Sequence, residues 1–180
     1  MGDLPAIETE RFTLRPLVRG DAAALYPTLS DEAQCRYLSR PHFGSVEELA
    51  DWLTDPDWDG DSWVAMDKAD GATVGRFVAV PTFDPDVSEI GFITVAERQG
   101  SGIGREGSQA LVDYLFRVGK KRRLVAEVDF ENAASIALLE RLGFQREACL
   151  REHERTHIGI RDVLIYGMLR RDWQSLRAGG

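Results

Sequence analysis

Between residues 11 and 16, apolar side chains alternate with polar ones, and this period of two predicts a half-buried first strand. Asp21 then predicts the N-cap of a first helix. Ser45 and Glu48 have the spacing of a capping box, which predicts the start of a second helix. The chain therefore begins with one strand and two helices.

The rest of the chain predicts strands and helices in mixed order. Short apolar runs separated by the turns at Asp70-Gly71 and Asp84-Pro85 predict three strands, at 63–66, 74–80 and 90–95. Next come a helix over 102–118 ended by Gly119, a strand over 124–128, a helix over 132–142 stopped by Gly143, and a strand pair at 144–150 and 163–169. This order predicts a single α+β domain, with a mostly antiparallel central sheet flanked by helices.

Composition narrows the class of protein. A chain of 180 residues with 43% hydrophobic content suits one globular domain, over residues 1–180. A net charge of −8 argues against a nucleic-acid partner. Cys35 and Cys149 are too few for a disulfide framework, and the chain has neither a membrane-spanning run nor a signal-peptide core. We expect a cytoplasmic protein with no membrane partner.

A glycine-rich loop follows the strand that begins near Glu89. Gln99, Gly102 and Gly104 form the pattern Q-x-x-G-x-G at the start of a helix. Such a loop directs successive backbone N–H groups into one concavity, where the helix dipole also favours negative charge. The pattern therefore predicts a ligand that carries phosphate.

The same glycines allow a second interpretation. Gly102, Gly104 and Gly107 fit G-x-G-x-x-G, with Glu127 twenty residues further on, which is the dinucleotide fingerprint of an NAD(P)-binding oxidoreductase. However, residues 96–101 separate the strand from the first glycine, and three strands precede the motif. Both facts oppose the dinucleotide interpretation.

Metal binding receives little support from the sequence. Asp55, Asp57 and Asp59 resemble the start of a calcium loop, but Met66 stands where its bidentate glutamate is required. The three histidines have no metal-ligand spacing. We expect no metal site.

Three motifs in order resemble the GNAT acyltransferase superfamily, and more narrowly its ribosomal-protein-alanine N-acetyltransferase-like branch. The strand and loop resemble the acetyl-CoA motif, with E-[IL]-G-[FY] beginning at Glu89. The segment 132–144 resembles the N-x-x-S…L-G-F helix, and 161–173 resembles the closing strand of the branch. The likeness extends over nearly the whole chain, with a motif-bearing core at about 9–173. It implies a GNAT-like acyl-CoA N-acyltransferase fold.

The resemblance implies acetyl-CoA as cosubstrate. The loop N–H groups would bind its pyrophosphate, a splayed strand edge would pair with its pantetheine amides, and an asparagine at a helix start would also contact that arm. The residues expected to bind it are Ile93, Thr94, Val95, Gln99, Gly100, Ser101, Gly102, Ile103, Gly104, Arg105 and Asn132.

Two catalytic residues are expected from the branch resemblance. Glu89 would act as the base, directly or through water, and Asp162 is a second candidate. Much of the superfamily uses a tyrosine as acid where this chain has Leu139, and the branch implies that Ser135 serves the departing thiolate instead. Alternatively, Ser135 caps the helix, and Glu89 is an ordinary solvent-facing carboxylate.

The expected activity is acetyl transfer to a primary amine by direct attack in a ternary complex. The acceptor would be a protein N-terminal α-amine or a small-molecule amine, and the protein a monomer or homodimer. The alternative from another class is a catalytically idle acyl-CoA-binding module, because the usual tyrosine is missing.

Overall fold

The computed structural model describes residues 4–178. Its strands are β1 (Ile7–Glu8), β2 (Phe12–Pro16), β3 (Asp61–Asp67), β4 (Thr73–Pro81), β5 (Val87–Thr94), β6 (Arg123–Asp129), β7 (Gln145–Thr156) and β8 (Gly159–Leu169). Its helices are α1 (Ala22–Leu29), α2 (Val46–Leu53), α3 (Ile103–Arg117), α4 (Ala133–Leu142) and α5 (Arg170–Ala178). Within this part of the chain, no helix is both long and apolar enough to cross a membrane.

The eight strands described form one sheet in the order β1-β2-β3-β4-β5-β6-β8-β7. Every neighbouring pair is antiparallel except β5 and β6, which run parallel. The predicted α+β fold with a mostly antiparallel sheet is therefore confirmed. A doubly wound dinucleotide fold needs a mainly parallel sheet, so the NAD(P) alternative is wrong.

Helices cover both faces of the sheet. On one face, α3, α4 and α5 bury Leu111, Phe116, Leu139 and Trp173 against the strands. On the other face, α1, α2 and the loop between them form a second apolar cluster with β3. Strands β5 and β6 are central in the sheet, so the ends of this parallel pair lie between the two helical layers.

One predicted cap is confirmed and one is corrected. The Ser45 hydroxyl accepts the N–H of Glu48 at 3.1 Å and caps α2, as predicted. Asp21 precedes α1 but makes no capping bond, because its carboxylate is bound by the Arg15 guanidinium at 2.6 and 2.9 Å. A buried carboxylate gains more from a bidentate arginine than from a helix N–H.

Helix and strand ends differ modestly from the prediction. Gly143 adopts φ +93° and stops α4, as predicted. Helix α3 ends at Arg117, and Lys120, not Gly119, adopts the left-handed conformation after it. The final hairpin is longer than predicted. Strand β1 was missed because it has only two residues, and α5 was not predicted.

Candidate active site

The central feature of the site is a gap between β5 and β6. The two strands pair only from Val87–Glu89 to Arg123–Val125, although β5 continues to Thr94 and β6 to Asp129. Val95 donates its N–H to the Val74 carbonyl of β4 at 3.1 Å. Because successive peptide groups of a strand point to opposite sides, the backbone groups of Phe92 and Thr94 face the gap. The edge of β5 at the gap is therefore available to pair with an extended ligand.

A cleft of about 180 Å³ opens at this gap. Strands β5, β6 and β8, helix α4 and the hairpin residues of β7 form its walls, and Tyr37 from the α1–α2 loop lies over it. The Tyr37 hydroxyl donates to the Glu131 carbonyl at 3.3 Å, which ties that loop to the start of α4. The lining residues are Tyr37, Leu38, Ile90, Gly91, Phe92, Ala126, Glu127, Val128, Asp129, Asn132, Ser135, Leu139, Glu154, Thr156 and Val163.

The predicted glycine-rich loop leads into the N-terminus of α3. Gly100 and Gly102 adopt φ +77° and +84°, a conformation that side-chain-bearing residues rarely adopt. The first N–H groups of a helix have no intrahelical partner, and here they belong to the residues just after Gly102. Arg105 is exposed and has no ion-pair partner among the described residues. The loop therefore presents several free donors to an anion.

Side chains from other elements hold this loop in place. Arg11 of the β1–β2 turn donates to the Ser101 carbonyl at 3.0 Å and pairs with Glu106 of α3 at 2.7 Å. The Gln99 amide donates to the Gln34 side chain at 2.7 Å and to the Thr94 carbonyl at 3.3 Å. The loop is thus fixed from both sides before any ligand binds.

Glu89 is half-buried on β5, at the last paired position before the gap. Burial raises its pKa above the ordinary value, and the negative charges of Glu127 and Glu154 raise it further. Both of those carboxylates line the cleft. A carboxyl group with a raised pKa beside a cleft is a stronger base than an exposed glutamate.

Asn132 and Ser135 take different roles at the start of α4. The Asn132 Oδ1 accepts the N–H of Ser135 at 3.2 Å, so asparagine is the helix cap. The Ser135 hydroxyl is therefore not a cap, and it lines the cleft together with buried Leu139. Ser135 therefore belongs to the cleft wall and is not the cap of α4.

Asp162, the second candidate base, has a structural partner. Its Oδ1 accepts the N–H of Glu152 at 2.8 Å, where β7 departs from regular pairing and Glu152 adopts φ +50°. The carboxylate stabilises this irregular turn of the hairpin. This contact gives Asp162 a structural role in the hairpin.

The structure adds residues that the sequence did not identify as part of the site. Phe92, which was not predicted, faces the gap together with the predicted Thr94. The predicted Ile93 and Val95 instead direct their backbone groups to β4, because the Val95 N–H is bound there and alternate residues share a side. Successive residues of β5 direct their backbone groups to opposite neighbouring strands. The sequence could have shown which of them face the gap only if those neighbouring strands had been known. Glu127, Glu154 and Tyr37 reach the cleft from three different elements, and no sequence spacing connects them.

Known proteins with a similar sequence include several that are named N-acetyltransferases. A family model described as an acetyltransferase (GNAT) domain matches residues 11–145. The chain is similar to the protein named uncharacterized N-acetyltransferase p20 of Bacillus licheniformis, at 29% identity, over 94% of this chain and 99% of the relative. A shorter match, at 32% identity over 46% of each chain, is to the ribosomal-protein-serine acetyltransferase of Escherichia coli.

Solved structures share the fold. A GNAT-family acetyltransferase from Bacillus anthracis superposes with a TM-score of 0.85 at 22% identity, covering 93% of this chain and 99% of that one. A spermidine N-acetyltransferase from Vibrio cholerae, solved in complex with CoA and spermine, gives a TM-score of 0.81 at 22% identity, covering 92% and 99%.

Proposed function

The chain belongs to the GNAT acetyltransferase family and is an acyltransferase, and we propose that it acetylates a primary amine by direct attack on acetyl-CoA in a ternary complex. The observation that carries this proposal is the gap between β5 and β6, which opens beside the glycine-rich start of α3. One end of this site suits a pyrophosphate and the other suits an extended chain of amides.

The fit to coenzyme A follows from the free backbone groups. The pantetheine arm would add as a short strand along Phe92 and Thr94, and its amides would pair with their N–H and C=O groups. The pyrophosphate would accept the N–H groups that follow Gly102, with Arg105 in reach of its charge. In this placement, the thioester lies in the cleft beside Gly91 and Ser135.

Acetyl transfer requires a neutral amine. At pH 7, deprotonating a lysine-like amine costs roughly 4.6 kcal/mol, whereas an α-amine costs roughly 1.4 kcal/mol. Glu89 accepts this proton, directly or through a water molecule, because burial and two neighbouring carboxylates strengthen it as a base. The carboxylates of Glu127 and Glu154 also attract the ammonium form of the acceptor.

The amine nitrogen then attacks the thioester carbonyl, and the C–S bond breaks as the new C–N bond forms. A backbone N–H on the free edge of β5 stabilises the oxyanion. Ser135 donates a proton to the departing thiolate. No cysteine lines the cleft within the described residues, since Cys35 is buried against the Leu29 carbonyl and Cys149 is exposed on β7. This arrangement supports direct attack without an acetyl-cysteine intermediate.

The test is thiol release from acetyl-CoA with a panel of α-amines, polyamines and lysine derivatives. We expect amine-dependent release with intersecting initial-velocity lines, and a lower kcat in Glu89→Gln and Ser135→Ala. Parallel lines would contradict the ternary complex. Tight binding of coenzyme A without release for any amine would instead identify an idle acyl-CoA-binding module.

A further inference from the structure

Arg76 is a buried cation without a carboxylate partner. It lies in the middle of β4, paired with Val64 of β3 and Ile93 of β5, and only 6% of its surface is exposed. Arginines are almost never buried to this extent unless an acid neutralises them. Among residues 4–178 no carboxylate pairs with Arg76, and burial lowers its pKa to about 10. It nevertheless stays charged at neutral pH.

Most hydrogen-bond donors of Arg76 are unused. Its Nε–H donates to the Ser62 hydroxyl at 2.9 Å, and neither Nη atom has an acceptor among residues 4–178. A guanidinium carries five N–H donors, so four are free. The one fully buried side-chain polar atom without a partner in this part of the chain is the Ser108 hydroxyl. The two Nη atoms therefore keep an opening to solvent.

The surroundings of Arg76 are aromatic. The guanidinium lies 5.0 Å from the ring centre of Trp52 on α2 and 5.3 Å from that of Trp58 in the loop that follows. These rings hold the charged group by cation–π contacts but accept none of its hydrogen bonds. The result is a fixed fork of donors that is held between two indoles and has no anion partner among the described residues.

Arg76 is not part of the cleft wall, but its side chain lies on the same face of the sheet as that of Glu89, the proposed base. Ile93, the partner of Arg76, and Gly91 point to one face of β5 because they are two residues apart. Gly91 lines the cleft. From strand spacing and rise, the Arg76 and Gly91 backbones are on the order of 8 Å apart.

We infer that Arg76 binds a carboxylate carried by the amine acceptor. Two parallel Nη donors match a planar carboxylate, and a paired arginine fork adds both binding and orientation. This inference rests on the proposed function and narrows its substrate class to amines that also carry a carboxylate. Short peptides with a free C-terminus meet this description.

The test compares di- and triglycine with their C-terminal amides in the thiol-release assay. Charge-assisted hydrogen bonds predict a kcat/KM about ten- to a hundredfold higher for the free acids. In Arg76→Met, which keeps a long side chain against both indoles, we expect this preference to disappear while the KM for acetyl-CoA stays unchanged. Arg40→Met is the matched control, because Arg40 already pairs with Glu48 and also lies over an aromatic ring.

Equal rates for acid and amide in the wild type, or an unchanged preference in Arg76→Met, would overturn the inference and leave the proposed function intact.

A second measurement does not depend on turnover. N-acetyldiglycine or its amide is titrated into the CoA-loaded protein, and tryptophan fluorescence is followed. A response to the acid alone, lost in Arg76→Met, supports the carboxylate site. No response to the acid overturns it, even if no amine is acetylated.

Discussion

Glu89 combines burial with like-charged neighbours, and both affect stability and activity. Its raised pKa means that the folded protein holds this proton more tightly than the unfolded chain does. The stability contributed by the protonated form is present at acid pH and is lost as pH rises through the folded-state pKa. At neutral pH the ionised carboxylate therefore lowers the free energy of unfolding, at the position that we propose for the base.

Replacing this carboxylate separates the two effects. We expect Glu89→Gln to lower kcat about 10²- to 10⁴-fold, the usual contribution of a general base. The same variant should melt at a higher temperature than the wild type near pH 7, with the difference vanishing at acid pH. Calorimetric melting across pH measures this. A lower melting temperature at pH 7 would show that Glu89 is stabilised in the fold by contacts of its charged form.

We expect the neighbours of Glu89 to set the acid limb of the pH–rate profile. Because the charge of Glu127 raises the Glu89 pKa, Glu127→Gln should lower that pKa and move the acid limb of kcat/KM to lower pH. Glu47→Gln, an exposed change at the start of α2, should leave the limb in place. An unmoved limb in Glu127→Gln would mean that another group titrates.

The three glycines at the start of α3 have different structural roles. Gly102 provides a left-handed turn, and a Cβ on Gly104 would lie 3.3 Å from both Thr94 and Leu138. A Cβ on Gly107 would lie 2.2 Å from the Phe77 ring, so this glycine allows the helix to pack on β4. The third glycine of the apparent dinucleotide motif is thus explained by helix–sheet packing.

Gly104 provides the test of the predicted phosphate loop. Gly104→Val should push the first turn of α3 away from Thr94 and misplace its N–H groups, which weakens coenzyme A binding about ten- to a hundredfold. Calorimetric titration measures this. Gly20→Ala is the control, because a Cβ there meets no atom within 4 Å. Equal affinity in both variants would place the pyrophosphate elsewhere.

Local sequence signals predicted the helices and strands better than they predicted the site. The capping box at Ser45 and the stop at Gly143 depend on a few adjacent residues, and both were predicted correctly. The free edge at Phe92 and Thr94 depends on where β5 and β6 stop pairing, which is a long-range property. Tyr37 reaches the cleft on an irregular loop, and no periodicity predicts such a position.

Across the whole molecule, Arg161 joins the closing hairpin to the end of β6. Its guanidinium binds Asp129 at 2.7 and 3.0 Å and Glu131 at 2.5 Å, while Glu131 also binds the α1–α2 loop through Tyr37. Burial would raise the pKa of Asp129, but the hydrogen bonds from Arg161 and the Glu131 N–H, with the nearby cations, outweigh it and lower that pKa. The bridge fixes two walls of the cleft.

Removing this bridge should destabilise the fold in a pH-dependent way. We expect Arg161→Ala to lower the free energy of unfolding, because the nearly buried Asp129 carboxylate loses its cationic partner and keeps only the Glu131 N–H. Since the wild-type Asp129 pKa is lowered, this advantage is present at neutral pH and is lost as pH falls through that pKa. Urea unfolding at several pH values measures it. Arg171→Ala, which loses an exposed contact of 3.8 Å, should change stability by less than about 0.5 kcal/mol.

The central claim is that coenzyme A occupies the gap between β5 and β6, and a crystal structure of the complex with coenzyme A tests it most directly. We expect the pyrophosphate on the N–H groups that follow Gly102, and the pantetheine amides paired with the backbone of Phe92 and Thr94. Coenzyme A bound on another surface, with the gap open and empty, would contradict the account.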